Sequence, residues 1–566
     1  MRRRALFLFA AWLLGTTLSR SQSMPANQFA GEPNWWQKSV IYEIYPRSFA
    51  DSNNDGTGDL KGITEHLDYL QQLGVDAIWI TPCFPSPQVD FGYDVSDYEN
   101  IDPKYGTLAD FDTLVAEGKK RGIKVILDFV VNHSSDQHKW FEESRKSKDN
   151  PYRDYYIWRD GRGDQPPNHW LSLFGGSAWQ LDTTTGQWYY HAFDPHQPDL
   201  NWRNPAVEKA MFDITRFWYE RGVYGFRLDA VDNLFEDPQL RENPPTTETS
   251  AAGLNEEGRK YTANLPEVHI ELQKLRKVAD EFPGRILIGE TWTETPEELA
   301  IYYGAHNDEI QLPMYFNFTT INQLSAPEFR AKIQAIETNT AHGWPAFVLS
   351  NHDIVRWINR YGDGQHDQAI EKVMSAMVLT LRGTAILYYG EELGMTNHDP
   401  ERLEDVQDVI GKTGWPKEKG RDGERTPMQW NTSANAGFNA GAKTWLPVNP
   451  NYKTINVATE NANPHSLLNW YRQLIALRRD QPALYNGDYR GLNLNDPNTL
   501  AYLRQSGDKK ILVVLNMTAN EQTVQFDAKE LGTVTGRVLL SSSDARQTKF
   551  NRIKLEPFGV VIAELK

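Results

Sequence analysis

Gly225-Phe226-Arg227-Leu228-Asp229-Ala230-Val231 is the stretch from which the rest of the chain can be read. It has the form of a short buried strand that ends by pushing Arg227 and Asp229 out together, because residues i and i+2 of a strand share a face. An adjacent arginine keeps a carboxylate ionised, and an ionised Asp at a strand end can attack an electrophilic carbon. Taken alone, the pair reads first as a structural ion pair. Its company changes that reading. Asp128-Phe129-Val130-Val131-Asn132-His133 lies upstream, and Ile288-Gly289-Glu290-Thr291-Trp292 and Ser350-Asn351-His352-Asp353 lie downstream. Each is an apolar run that ends in polar or ionisable residues.

Working outward, strand patterns fall at 40–49, 76–81, 124–130, 225–229, 285–291, 309–317, 346–350 and 384–390, and amphipathic helices at 63–73, 111–121, 206–221 and 266–281. Regular alternation of strand and helix predicts an α/β chain with a parallel sheet. Eight such units predict a (β/α)8 TIM barrel, whose chemistry sits at the C-terminal strand ends, where all four motifs lie. The barrel is expected over 35–133 and 204–482. Residues 134–203 are too long for an ordinary loop and read as an inserted domain after the third strand. Residues 395–450 read as an excursion folded over the site, and 466–479 as the closing helix. From 486 to 566, short strands at 500–504, 510–516, 535–540 and 560–565 predict a C-terminal antiparallel β-sandwich.

A net charge of −16 disfavours nucleic acid and anionic membrane as partners. A neutral sugar is compatible, and Trp 18, Tyr 25 and Phe 24 provide rings for core packing and for stacking on sugar faces. Residues 1–23 have the form of an export signal. Arg2, Arg3 and Arg4 make its basic start, and the apolar run 6–18 is shorter than the ~20 residues of a membrane span. Cleavage near 19–24 would leave no membrane span and a periplasmic or secreted product. The single cysteine, Cys83, excludes an internal disulfide and reads as a buried, inert thiol.

Two carboxyl groups flanking a bond are the minimum for glycoside hydrolysis. Asp229, paired with Arg227, is expected to have a depressed pKa and to act as nucleophile. Glu290, followed by Trp292, is expected in a less polar setting that raises its pKa and suits an acid. Asp353 would face the developing positive charge or bind sugar hydroxyls. His133 and His352 can hydrogen-bond hydroxyls without adding full charge; a metal site built from them is the rival reading. In Asp51-Ser52-Asn53-Asn54-Asp55-Gly56-Thr57-Gly58-Asp59, oxygens at every second position resemble the first part of a calcium loop, although Gly62 replaces the closing glutamate at the twelfth position. A polar turn is the plain alternative. Structural Ca2+ is favoured because oxygens converging at this spacing repel one another without a cation. No organic cofactor is expected.

The four motifs, in this order and on these strands, resemble the α-amylase family, glycoside hydrolase family 13, over almost the whole chain after the signal. Ile41-Tyr42-Glu43-Ile44-Tyr45-Pro46-Arg47-Ser48-Phe49, Gly175-Gly176-Ser177-Ala178-Trp179, Gln197-Pro198-Asp199-Leu200-Asn201 and the stretch 421–430 narrow the resemblance to the group of α-glucosidases, maltases and oligo-1,6-glucosidases. The resemblance implies Asp229 as nucleophile, Glu290 as acid/base and Asp353 as transition-state stabiliser. It also implies a pocket for one terminal glucose formed by Asp90, Tyr93, His133, Phe193, Arg227, His352 and Arg421, with Asp90 and Arg421 on distal hydroxyls, Tyr93 stacked on the ring and Phe174 on the leaving-group side. Asp51, Asn53, Asp55, the Thr57 carbonyl and Asp59 match the family's metal loop. Ala230, where enzymes preferring α-1,6 bonds often carry Val, points to α-1,4 or sucrose-type substrates; such a difference at a pocket wall shifts preference by only ~1–3 kcal/mol.

Three other readings stay open on sequence. A trehalose synthase or sucrose isomerase would use the same covalent intermediate with a sugar in place of water; no arginine-rich isomaltulose-type loop is visible. A non-catalytic partner of an amino-acid transporter would need a membrane span near its start. An endo-acting amylase would need an open cleft. Oligomeric state is not legible.

Overall fold

The computed structural model describes residues 34–246, 257–340, 342–543 and 546–566; the expected export segment 1–23 lies outside them. Eight parallel strands close a barrel: β1 (Val40–Ile44), β2 (Ala77–Ile80), β3 (Lys124–Val130), β7 (Gly225–Asp229), β8 (Ile286–Gly289), β9 (Leu312–Tyr315), β10 (Ala346–Phe347) and β11 (Thr384–Tyr388), with β11 pairing back onto β1. Between β3 and β7 lies a three-stranded sheet of β4 (Trp158–Arg159), β5 (Trp179–Asp182) and β6 (Gln187–Tyr190). Its core is largely aromatic, with Trp170, Trp179 and Tyr190 buried together.

Alternation along the barrel strands sorts the side chains. Ile41, Ala77, Ile126, Ile286, Ile288, Leu312, Met314, Ala346 and Ile386 form one apolar cluster. Two residues further along three of these strands come Glu43, Trp79 and Asp128. The lower barrel is therefore filled with hydrocarbon, while its C-terminal rim is polar.

Several boundaries differ from expectation. The strand expected over 40–49 stops at Ile44, and Pro46–Phe49 is a helical turn, because Pro46 occupies the first helical position. The helix expected over 63–73 is two helices, Leu60–Glu65 and Leu67–Leu73, separated at His66, with Asp59 capping the first through Gly62 N–H. The sixth, seventh and eighth strands are shorter than read. The chain beyond the barrel forms a five-stranded antiparallel sheet of β12 (Asp488–Leu492), β13 (Thr499–Ser506), β14 (Lys509–Asn516), β16 (Gly536–Ser541) and β18 (Val560–Leu565). A two-stranded sheet, β15 (Gln522–Gln525) with β17 (Arg552–Leu555), accompanies it, and Leu503, Val514, Phe526 and Ile553 share the core between them. Cys83 is buried, and burial raises its thiol pKa, as an inert residue requires. Among the described residues no helix is long and apolar enough to cross a membrane.

Candidate active site

Arg227 is the centre of the rim. The register of β3 against β7 sets it opposite Asp128. Its Nη1 donates to both Asp128 oxygens, at 3.0 and 3.1 Å, and to Asp229 Oδ1 at 2.6 Å. Its Nη2 lies 2.9 Å from Glu290 Oε2, as an ion pair rather than an aligned hydrogen bond. One guanidinium thus serves three carboxyls, and this corrects the expected depression at Asp229. Burial raises the Asp229 pKa well above the usual carboxylate range; Arg227 opposes the rise only in part, and Glu290, Asp128 and Asp353 add to it. Burial likewise raises Asp128 to about 6, against the pull of Arg227. Asp128 and Asp229 share one guanidinium nitrogen, so their titrations are linked.

Trp292 also acts differently from expectation. It is 39% exposed, stacks on Phe316 at 4.3 Å and donates its indole N–H to Glu290 Oε1 at 3.2 Å, so it orients the carboxyl rather than walling it from water. Ala230 takes a left-handed conformation (φ 46°, ψ 37°) that turns its N–H onto Glu290 Oε2 at 2.9 Å. Alanine tolerates that region at lower cost than a β-branched residue.

Beside this cluster lies a second one. Asp353 Oδ1 accepts from Arg421 Nη1 and Arg425 Nη2, each at 2.8 Å, and Oδ2 lies 3.0 Å from His352 Nε2. Burial pushes this carboxyl up, but His352, Arg421 and Arg425 overcome it and hold Asp353 well below the usual range. Burial lowers His352, yet Asp353 and Glu43 raise it to about 9; the expectation of an uncharged histidine fails here. It holds at His133, which burial lowers to about 3. Neutral His133 donates Nδ1–H to Asn132 Oδ1 at 2.9 Å and accepts from Gln197 Nε2 at 3.1 Å.

Gln197 also donates to Asp90 Oδ2, and Asp90 Oδ1 accepts from Arg421 Nη2 at 2.7 Å. Asp408 grips Arg421 from below through its backbone N–H, Nε and Nη2. Tyr93 stacks on His352 at 5.5 Å. Phe193 packs on His133 at 5.2 Å and on Phe174 at 5.5 Å, and Phe174 packs on Ile410. The Tyr93 hydroxyl also donates to Asp128 Oδ2 at 3.2 Å, so Asp229, Glu290, Asp353 and the sugar-pocket residues expected from sequence form one network of contacts.

The loop 51–59 stands apart from that network. Three successive turns close it: Asn53 N–H donates to Asp51 Oδ1, Asp55 N–H to Asn53 Oδ1 and Thr57 N–H to Asp55 Oδ1, at 3.1, 2.9 and 2.8 Å. Asn53 and Asp55 keep oxygen lone pairs that a hard cation could use, whereas Asp51 already accepts four hydrogen bonds, from the N–H groups of Asn53, Asn54 and Gly56 and from Asn439 Nδ2. Burial and the nearby Asp51 charge raise Asp59. A Cβ at Gly62 would lie 2.1 Å from the Ala50 carbonyl, so no glutamate can occupy the twelfth position. Among the described residues no group of three or more His, Cys, Asp or Glu side chains stands at metal-binding spacing. A cation here would therefore draw on the Asn53 amide and the Thr57 carbonyl, and His133 and His352 belong to no such group among the described residues. The loop also docks the excursion: Asp51 Oδ2 accepts from Asn439 Nδ2 at 2.6 Å, and Asn54 Oδ1 from Ala440 N–H at 2.7 Å.

Sequence reading missed Asp128, Glu43, Gln197, Asp408, Arg425 and Phe316. Asp128 and Glu43 carried a signal, a lone acid in an apolar strand. Asp408, in an irregular segment, carried none.

Residues 43–487 match the alpha-amylase catalytic domain and 489–562 the maltogenic amylase C-terminal domain. A "probable alpha-glucosidase" of Rhizobium meliloti is 40% identical, covering 94% of this chain and 97% of that one. An oligo-1,6-glucosidase of Parageobacillus thermoglucosidasius is 39% identical, covering 94% and 99%. The crystal structure of a trehalulose synthase from Pseudomonas mesoacidophila MX-45 superposes with a TM-score of 0.88 at 38% identity, covering 94% of this chain and 99% of that one. With so much of its length matched on a barrel that gathers three acids at one rim, the chain belongs to the alpha-amylase family, glycoside hydrolase family 13.

Proposed function

We propose that this glycoside hydrolase is an exo-acting, retaining α-glucosidase that removes terminal α-glucosyl units from short oligosaccharides or sucrose, with α-1,4 bonds preferred over α-1,6. The observation that carries it is the grip of Arg227 on Asp229 and Glu290 through adjacent nitrogens. That grip is compatible with the ~5 Å carboxyl separation of retaining enzymes. Asp229 attacks the anomeric carbon while Glu290 protonates the glycosidic oxygen; the C–O bond breaks and the aglycone leaves as an alcohol. Glu290 then deprotonates a water, which displaces Asp229 and restores the α configuration. The reaction needs Glu290 protonated and Asp229 ionised at the start. Asp353, ionised by its three cationic neighbours, faces the oxocarbenium charge. Ala230 favours the α-1,4 preference.

The test is product analysis from maltose, sucrose, isomaltose and trehalose by chromatography and NMR. Glucose from maltose or sucrose, released first as the α anomer, with little from isomaltose, supports the reading. β-Glucose as first product would refute retention.

The second reading is glucosyl transfer of the trehalose synthase or sucrose isomerase type. It is favoured by the part-exposed Trp292 stacked on Phe316 beside Glu290, a shelf on which an acceptor sugar can replace water. Isomeric disaccharides as the main product would establish it.

We further propose that Asp51, Asn53, Asp55, the Thr57 carbonyl and Asp59 hold a structural Ca2+ that stiffens the docking of the excursion. Export through residues 1–23 is likewise a proposal; a mature N-terminus near 19–24 in the periplasm or medium would support it.

A further inference from the structure

Glu43 has no part in the reaction just described. It lies on β1, wholly buried, where the barrel lining turns from hydrocarbon to polar. Its Oε1 accepts from His352 Nδ1 at 2.6 Å and from the His352 backbone N–H at 3.3 Å. At the other end of the ring, Nε2 faces Tyr93 Oη at 2.5 Å and Asp353 Oδ2 at 3.0 Å. Tyr45 and Tyr93 stack on the imidazole at 5.9 and 5.5 Å, and Trp79 meets it edge-on at 6.0 Å. A neutral imidazole has one N–H and one lone pair. In this clamp the lone pair would face a carboxylate oxygen whichever tautomer formed, and only on Nε2 could a donor, the Tyr93 hydroxyl, meet it. Only the imidazolium donates at both ends.

We infer that Glu43 is a positioning residue that holds His352 as an imidazolium, with its second N–H aimed at Asp353 and the glucose side of the pocket. The groups facing His352 come from several elements. Glu43 from β1 and Asp353 from the same loop favour the cation, and Asp128 on β3 lies close enough to interact with it. Tyr93 follows β2. Arg425, whose Nε donates to the His352 carbonyl at 2.7 Å, opposes the cation. Burial also opposes it, and the two carboxylates win. The consequence falls on Asp353: a fixed cation on Oδ2, with Arg421 and Arg425 on Oδ1, keeps that carboxylate charged and immobile.

The inference rests on the glucosidase reading only for the identity of the sugar in the pocket, and its first test does not involve activity. Protein carrying 13Cε1-labelled histidine is titrated by NMR from pH 5 to 10, with the His352 resonance identified by its loss in His352→Gln. The wild-type resonance should keep its imidazolium position through pH 8. Glu43→Gln keeps an acceptor for Nδ1–H but removes the charge, and should titrate at least a full pH unit lower. Glu43→Asp should keep the higher value. A neutral His352 at pH 7 in the wild-type protein overturns the inference, as does an unmoved titration in Glu43→Gln; the wild-type titration decides even if that variant does not fold. Hydrolysis of p-nitrophenyl α-glucoside gives the second readout. The loss caused by Glu43→Gln should be about threefold greater at pH 8.5 than at pH 6, as a one-unit fall from about 9 demands. A loss equal at every pH would reduce Glu43 to packing. If the wild-type protein leaves the glucoside intact while the titration behaves as expected, the glucosidase reading fails and the role of Glu43 stands.

Discussion

Asp128→Asn removes one of the three negative charges that share Arg227. Asp128 and Asp229 accept from the same Nη1, at 3.0 and 2.6 Å, so their carboxylates are near neighbours. At a separation of about 5 Å and an effective dielectric of about 20, their repulsion is about 3 kcal/mol. That corresponds to roughly two pH units of titration. The sign follows from Asp229's role. It must be ionised to attack, and its pKa is raised, so activity is present above that pKa and is lost as pH falls through it. Removing a group that raises it, and leaving Asp229 a larger share of Arg227, moves the acid limb to lower pH. The expected displacement is about one to two units, the lower end allowing for solvent relaxation around the cluster. Asn keeps one oxygen for the Trp79 and Tyr93 donors but turns an N–H₂ toward Arg227, so maximal turnover and thermal midpoint should both fall. The assay is kcat/KM against pH on p-nitrophenyl α-glucoside, with circular dichroism to establish that the variant is folded. A folded variant whose acid limb is unmoved, or displaced upward, would refute the claim that the shared cation sets the charge state of Asp229.

Asp229→Ala should abolish nearly all turnover while leaving the circular dichroism spectrum unchanged; retained turnover would remove Asp229 from the nucleophile role. Arg421→Lys replaces a fork that spans Asp353, Asp90 and Asp408 by a single point charge, and should raise KM by about tenfold or more, with an unchanged KM counting against Arg421 as a pocket residue. Chelation with EGTA should lower the thermal midpoint of the wild-type protein, and Asp55→Ala should reproduce that lower midpoint in the presence of Ca2+; equal midpoints throughout would leave loop 51–59 as a docking turn alone. Ala230→Val should increase the ratio of isomaltose to maltose cleavage and, because position 230 sits at φ 46°, also lower stability.

Strand–helix alternation was sufficient to predict the closed parallel barrel, because periods of 2 and 3.6 are imposed by backbone geometry and survive without tertiary information. The barrel in turn brings all strand ends to one rim, so four motifs scattered over more than 200 residues converge wherever their exact boundaries lie. That is why Asp229, Glu290 and Asp353 could be named from the chain alone, although β10 proved to be two residues long; Asp90, Tyr93, Phe174, Phe193 and Arg421, outside the four motifs, were named only through the family resemblance. Charge states could not be read in the same way. Arg227 beside Asp229 predicted an isolated ion pair; only the registers of β3 and β8 against β7 revealed that Asp128 and Glu290 draw on the same cation, which reverses the direction of the Asp229 shift. His352 looked like an uncharged ligand until β1 set Glu43 against its far nitrogen. Asp408, in an irregular segment, meets Arg421 within the excursion, and only the fold of the excursion over the rim brings that arginine to Asp353 and Asp90. Periodicity is a local property of the backbone and is written residue by residue. A pKa belongs to every charge within a few ångströms, and only the tertiary structure decides which those are.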